Sequence, residues 1–164
     1  MPWGAPPSLT VPAWMDDAEI DRVVELHREW IAAERAKQRP RLGLNPRYVS
    51  ETEARLAVRE LVAMLVEEEA PHIGVTPKRI QIRDQRSRWG SCSTRGTLSF
   101  NWRLVLAPFD VLDYVVVHEL CHLREPNHSR RFWRLVEERR PGWRAQRDWL
   151  HEHGPELLAF RPAA

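Results

Sequence analysis

The sequence predicts an α+β domain. Three observations carry that expectation. Apolar residues recur at helical spacing through residues 17–37 and again from Ser50 to about Ala70; the period changes to two between Arg79 and Asn101; helical spacing returns after Pro108. At 164 residues and 19.3 kDa the chain has room for one core of ordinary size, which at this length buries roughly 70% of the unfolded surface.

Residues 1–15 read as an N-terminal extension and residues 16–160 as a single domain. Asp16-Asp17 leads into Ile20, Val23, Val24, His27, Trp30 and Ile31, one face of an amphipathic helix over 17–37, and Pro40, Gly43 and Pro46 end it. Ser50-Glu51-Thr52-Glu53 is a capping box that opens a second helix, with Leu56, Leu61, Met64 and Leu65 on one side and Pro71 with Gly74 as its stop. Residues 79–83 and 97–101 alternate and read as two antiparallel strands. Their connection, Asp84 to Gly96, is long for a hairpin and rich in functional side chains, as functional loops often are. Pro108 suits the first turn of a third helix reaching about Leu123; Glu125-Pro126-Asn127 breaks the chain, and further helices follow near 129–139 and 143–152. No internal repeat or low-complexity tract is visible.

Composition removes several classes of function. With 43% hydrophobic and 29% charged residues and a mean hydropathy of −0.53, the chain is that of a soluble globular protein. Apolar runs such as residues 61–66 are far shorter than the roughly 20 residues a bilayer demands, so no membrane association is expected. The start lacks the basic-then-apolar pattern of a signal peptide, and two cysteines make no disulfide framework, so a cytoplasmic location is expected. The net charge of +2 is unevenly spread: residues 1–78 carry 10 Lys/Arg against 13 Asp/Glu, and residues 79–164 carry 15 against 10. Nearly all the basic residues are arginine, which fits either phosphate recognition by forked guanidinium groups or a GC-rich genome.

His118-Glu119-Leu120-Cys121-His122 places an H-E-x-x-H sequence inside a helical pattern, the context that gives this motif meaning. At about 100° per residue the two histidines project from one face and Val116, Val117, Leu120 and Leu123 from the opposite one. Glu119 is offset from the histidine stripe, which suits a general base for a metal-bound water rather than a ligand. Cys121 flanks the stripe about as closely on the other side. A catalytic zinc has three protein ligands and an open position, and His128, beyond the break, offers the third; Cys121 then packs as a small apolar residue. Chance yields H-E-x-x-H in roughly one such chain in 35, and adding a histidine at the spacing of His128 makes it about one in a thousand.

Arg86-Ser87-Arg88-Trp89-Gly90-Ser91-Cys92-Ser93, then residues 98–101, then Tyr114 to Leu123, His128-Ser129 and Phe132-Trp133 together resemble the YgjP-like metallopeptidase family, related to the SprT-like and Wss-type zinc proteases. The resemblance covers roughly residues 11–152. It implies a zincin-like fold, with the active-site helix packed on a small antiparallel sheet and additional helices around it. It also implies one Zn2+ per chain on His118, His122 and His128, with Glu119 as catalytic acid/base. The family usually begins with a longer β-rich segment than the residues ahead of Val11-Pro12 provide. Glu125 stands where the metzincin spacing has a turn-forming glycine, so that subgroup is not expected, and the turn falls to Asn127.

The expected function is zinc-dependent hydrolysis of peptide bonds, the zinc-bound water attacking as Glu119 takes its proton. The substrate is expected to pair with an exposed edge of the strand Thr97–Asn101. Arg86, Arg88, Trp89 and Asn101 are the candidate substrate-binding residues. Asp113, Asn101 and Glu137 are candidates to orient the imidazoles, and His151, His153 or the Arg86–Arg88 loop to stabilise an oxyanion. Trp133 and Phe132 are expected in the core. Two alternatives stand beside the peptidase. One is a nucleoside-triphosphate pyrophosphatase with Arg83, Arg86 and Arg88 on the phosphates, as attributed to a member of the family. The other is a nucleic-acid-binding module with structural zinc, its basic half touching phosphate.

Overall fold

The computed structural model describes Pro12, residues 14–28, Trp30 and residues 50–162. The chain divides into two units, Met1–Arg41 and Leu42–Ala164. In the first, α1 (Asp17–Leu26) is capped by Asp16, whose carboxylate accepts from the Glu19 amide at 2.7 Å. Residues 31–37 of the helix expected there, the turn at Pro40, Gly43 and Pro46, and most of residues 1–15 lie outside the described residues. No helix of the described residues is long and apolar enough to cross a membrane.

The second unit is α+β, as its mixed periodicities predict. Helix α2 (Glu51–Ile73) opens on the capping box read from the sequence: the Ser50 hydroxyl accepts from the Glu53 amide at 3.3 Å, and the Glu53 carboxylate accepts from the Ser50 amide at 3.1 Å. It runs past the expected stop at Pro71. A proline in the last turn costs the helix one N–H bond but keeps a helical φ, so Gly74, at φ 74° in the left-handed region, makes the actual end. Leu56 faces solvent, and Ala54, Val58, Leu61, Val62 and Leu65 form the buried side.

Three strands, β1 (Arg79–Arg83), β2 (Gly90–Cys92) and β3 (Thr97–Asn101), form one sheet in the order β1-β3-β2. The expectation that β1 and β3 are antiparallel is corrected: they run parallel, Arg79 opposite Thr97 and Arg83 opposite Asn101. Parallel neighbours need a crossover of about a dozen residues, which the long Asp84–Gly96 connection supplies. The hairpin is instead β2–β3, with Gly90 opposite Phe100 and Cys92 opposite Leu98, closed by a turn in which Gly96 (φ 82°) donates to the Ser93 carbonyl. β3 is therefore the central strand and has no free edge; the edge strands are β1 and β2, and β2 is the one that meets Glu119.

A 3-10 segment, Trp102–Leu106, leads to α3 (Phe109–Cys121), which is buried on nearly every side. Helices α4 (Arg130–Arg139), capped by Ser129, and α5 (Trp143–Ala159) complete the unit. α5 continues beyond the expected end near residue 152, through Gly154 and Pro155. One core joins α2, β3, the 3-10 segment, α3 and α4, with Leu65, Phe100, Trp102, Leu112, Leu120 and Phe132 among its fully buried side chains. A buried ionic cluster pins three helices together. Arg140 donates to both Asp113 oxygens at 2.6 Å and to Glu69 at 2.9 Å, and Arg139 donates to Glu69 at 2.9 Å. Burial, the largest single influence, acts to raise the Glu69 carboxyl, but Arg140 and Arg139 together outweigh it and hold the group below the usual carboxylate range.

Candidate metal centre and cleft

The helical stripe read from the sequence becomes a three-histidine group. His118 on α3 and His122, the residue that caps its C-terminus, stand one turn apart, and His128 returns to them from beyond the break at Glu125-Pro126-Asn127. The Nε2 atom of His118 lies 3.2 Å from that of His122 and 3.0 Å from that of His128. Four-coordinate zinc with Zn–N bonds of about 2.0–2.1 Å separates its nitrogen ligands by about 3.3 Å, so His118 already stands near ligand spacing from each of the other two, and all three donor atoms lie within 4.8 Å of one another. Among the described residues this is the group of His, Cys, Asp and Glu close enough to share a metal.

The donors are held in the correct form. His122 Nδ1 lies 3.2 Å from the Glu125 carbonyl, which fixes a proton on Nδ1 and leaves the Nε2 lone pair facing the group. The Tyr114 hydroxyl stands 3.4 Å from His118 Nδ1. Burial, together with the neighbouring His122 and His128, pushes His118 down to about 3, so its imidazole is neutral. Asp113, Asn101 and Glu137 do not serve the imidazoles. Asp113 pairs with Arg140, and Glu137 accepts from Trp143 Nε1 at 2.6 Å and from Arg144.

Beneath the histidines the Phe132 ring stacks on His122, with centroids 4.4 Å apart and 26° between planes, and meets His118 and His128 edge-on. Trp133 stacks on His128 and, at 4.1 Å, on Trp143, which in turn stacks on Tyr114. Phe132 lies in the core as expected and also forms the floor of the centre; Trp133, expected in the core, is half-buried against it and forms one wall. Cys121 points into the core, fully buried, away from the histidines.

Glu119 is 6% exposed and backed by β2: a Cβ built on Gly90 would fall 2.5 Å from Glu119 Oε1. Only glycine lets that carboxylate lie so close to a strand. Burial pushes the Glu119 carboxyl up to about 8.

Two cavities, about 500 and 840 Å³, meet at Arg88, Gly90, His118 and Glu119. Trp89 lines the smaller one and packs against Gly154 of α5, so it walls the cleft. Arg86 is exposed and lies outside both cavities. Asn101 is fully buried; its amide donates to the Gln85 and Arg88 carbonyls at 2.7 and 3.0 Å, and its oxygen accepts from the Arg103 amide at 3.1 Å. It shapes the loop that carries Arg88 and Trp89. Arg103, almost wholly buried, clamps the same loop through Asp84 and reaches the Phe160 carbonyl. From α5, Arg147 and His151 face the smaller cavity, whereas His153 is turned to the Trp149 carbonyl.

Two roles at the centre have a signal in the sequence: Tyr114 lies four residues before His118 on the same helix face, and Phe132 lies four after His128. The approach of Gly90 to Glu119 has none, because β2 is too short to be read as a strand.

The small mixed sheet and the buried helix carrying H-E-x-x-H define an α+β, zincin-like domain with a site fit for a metal ion. The sequence model of one family, described as YgjP-like, metallopeptidase domain, matches residues 47–153, and the chain belongs to that family. It is, in general terms, a metal-dependent peptidase. No curated protein and no solved structure matches the chain significantly.

Proposed function

We propose that the protein is a zinc-dependent peptidase, with one Zn2+ per chain held by the Nε2 atoms of His118, His122 and His128. The observation that carries this is the convergence, in one cleft, of three imidazole donors within 4.8 Å of one another, with His118 Nε2 3.2 and 3.0 Å from the other two, the Glu119 carboxylate and a free strand edge. Zinc bound there supplies Lewis-acid activation of water at neutral pH. Glu119 is the acid/base: its carboxylate accepts a proton from the attacking water and returns it to the leaving amide nitrogen.

The peptide pairs with β2, not with β3. Asn101 donates to the Trp89 carbonyl at 2.8 Å and Ser93 to the Thr97 carbonyl at 2.9 Å, so residues 89, 91 and 93 bond inward to β3. By the antiparallel alternation, Gly90 and Cys92 turn their N–H and C=O groups to the open edge, beside Glu119. Arg147 and His151 are the α5 donors placed to neutralise an oxyanion. The free thiols of Cys92 and Cys121 suit a reducing, cytoplasmic setting.

The test is the zinc-loaded protein against casein, short peptides and nucleoside triphosphates, with Glu119→Gln alongside. Peptide hydrolysis that falls at least 10³-fold in Glu119→Gln while zinc stays bound is the expected result. Triphosphate hydrolysis without peptide cleavage overturns the proposal, as does peptide cleavage that survives Glu119→Gln.

A further inference from the structure

The two arms of the cleft differ in chemistry. The smaller cavity, between α3 and α5, has apolar walls in Trp89, Leu150 and Leu158, with Arg147 and His151 of α5 also lining it and Arg88 shared by both cavities. Gly154 keeps it open: a Cβ there would stand 3.3 Å from the Trp89 indole and press the ring inward. The larger cavity is rimmed by Lys78 and Arg95 with Ser93 and Thr94, and Glu119 is its sole carboxylate. Among the described residues neither Lys78 nor Arg95 has a carboxylate partner, unlike Arg139, Arg140 and Arg144, which are all paired. Unpaired cations lining a concave surface attract anionic groups, because the field is focused there and no desolvated ion pair must first be broken.

The strand edge gives the cleft a direction. β2 runs from Gly90, beside the apolar cavity, to Cys92, beside the cationic one. An antiparallel partner, the stronger ladder, runs the other way. Its N-terminal part then lies over Lys78 and Arg95, it crosses Glu119, and its C-terminal part enters the apolar cavity. We propose that the cleft reads its peptide on both sides of the cut: carboxylate side chains before it, against Lys78 and Arg95, and one large apolar side chain directly after it, in the cavity behind Trp89. This specificity rests on the peptidase function proposed above and goes beyond it by naming the substrate class.

Two measurements test it. In the first, the zinc-loaded protein cleaves a mixed peptide library and the cut sites are read by mass spectrometry. Asp or Glu before the cut and Leu, Phe or Met directly after it are expected. The Lys78→Glu/Arg95→Glu variant should invert the preference before the cut to Lys and Arg, and Leu150→Trp should shift the residue after it to Ala or Ser. In the second, zinc-loaded Glu119→Gln binds labelled, uncleaved peptides of the patterns Glu-Glu-Leu, Lys-Lys-Leu and Leu-Glu-Glu, followed by anisotropy. The first should bind at least about tenfold more tightly than the others, and the advantage should shrink as salt rises. Equal binding of the three patterns, a preference in the opposite order, or one untouched by charge reversal at 78 and 95 overturns the specificity. So does a single-stranded oligonucleotide that outcompetes the acidic peptide. Failure of every peptide to be cleaved refutes the peptidase function instead, and the binding experiment still decides the specificity on its own.

Discussion

Replacing Gly90 with alanine puts a methyl carbon 2.5 Å from Glu119 Oε1, 2.6 Å from its Cγ and 2.8 Å from its Cδ. Ordinary contact lies about 1 Å further out. Rotation of the terminal carboxylate relieves only the first of the three clashes; the close approach to Cγ forces the whole side chain from its rotamer or β2 from α3. A displacement of about 1 Å in a reacting group costs on the order of 10²-fold in rate, or about 2.7 kcal/mol of barrier. We expect kcat/KM for a peptide to fall about 100-fold in Gly90→Ala, while zinc affinity by competition with a chromophoric chelator stays within a few fold, since the three imidazoles are not touched. The double variant with Glu119→Gln should be no worse than Glu119→Gln alone, because both changes act on one group. Wild-type activity in Gly90→Ala, or simple multiplication of the two losses, refutes the reasoning.

Phe132→Ala removes the ring beneath all three histidines: a stability loss of about 3–5 kcal/mol by denaturant unfolding and zinc binding weakened about tenfold by titration are expected. Glu69, held below its ordinary value, contributes stability that is fully present above about pH 4.5 and is lost as pH falls through its lower folded-state value. Glu69→Gln should therefore cost about 3 kcal/mol at neutral pH, since Arg139 and Arg140 stay partly buried, and should flatten the acid limb of a stability profile measured by urea melts. Asn101→Ala leaves the Gln85 and Arg88 carbonyls without their donor; a loss of about 2 kcal/mol is expected, with a rise in KM as the Arg88-Trp89 loop loosens and kcat less affected.

What was legible in the sequence is what is local. The capping box at Ser50, the helical placement of His118 and His122, the burial of Cys121 and the return of His128 all depend on residues a few positions apart, where helical geometry is fixed by spacing. Strand pairing is not of that kind. Two alternating segments read equally well as parallel or antiparallel neighbours, and β2, three residues long with glycine at its start, has too little alternation to be seen at all. The edge that lines the cleft therefore lies on β2, and not on β3, whose alternation the sequence does show. The pairing of Asp113 with Arg140 is equally out of reach, because Arg140 caps another helix and no periodicity connects them. Asn101 shows the same limit: a polar residue ending a strand displays its chemistry in the sequence, but not that its amide is spent on the Gln85 and Arg88 carbonyls.

Phe132 belongs at once to the hydrophobic core and to the floor of the histidine group, so the imidazoles are in effect the top layer of the core. Ion binding and unfolding are then linked equilibria. An ion that binds only the folded chain stabilises it by about 2.7 kcal/mol when its free concentration is a hundred times Kd. A chelator therefore lowers the melting temperature and the peptidase rate together, and survival of the protein at high temperature becomes a property of its metal supply as much as of its packing.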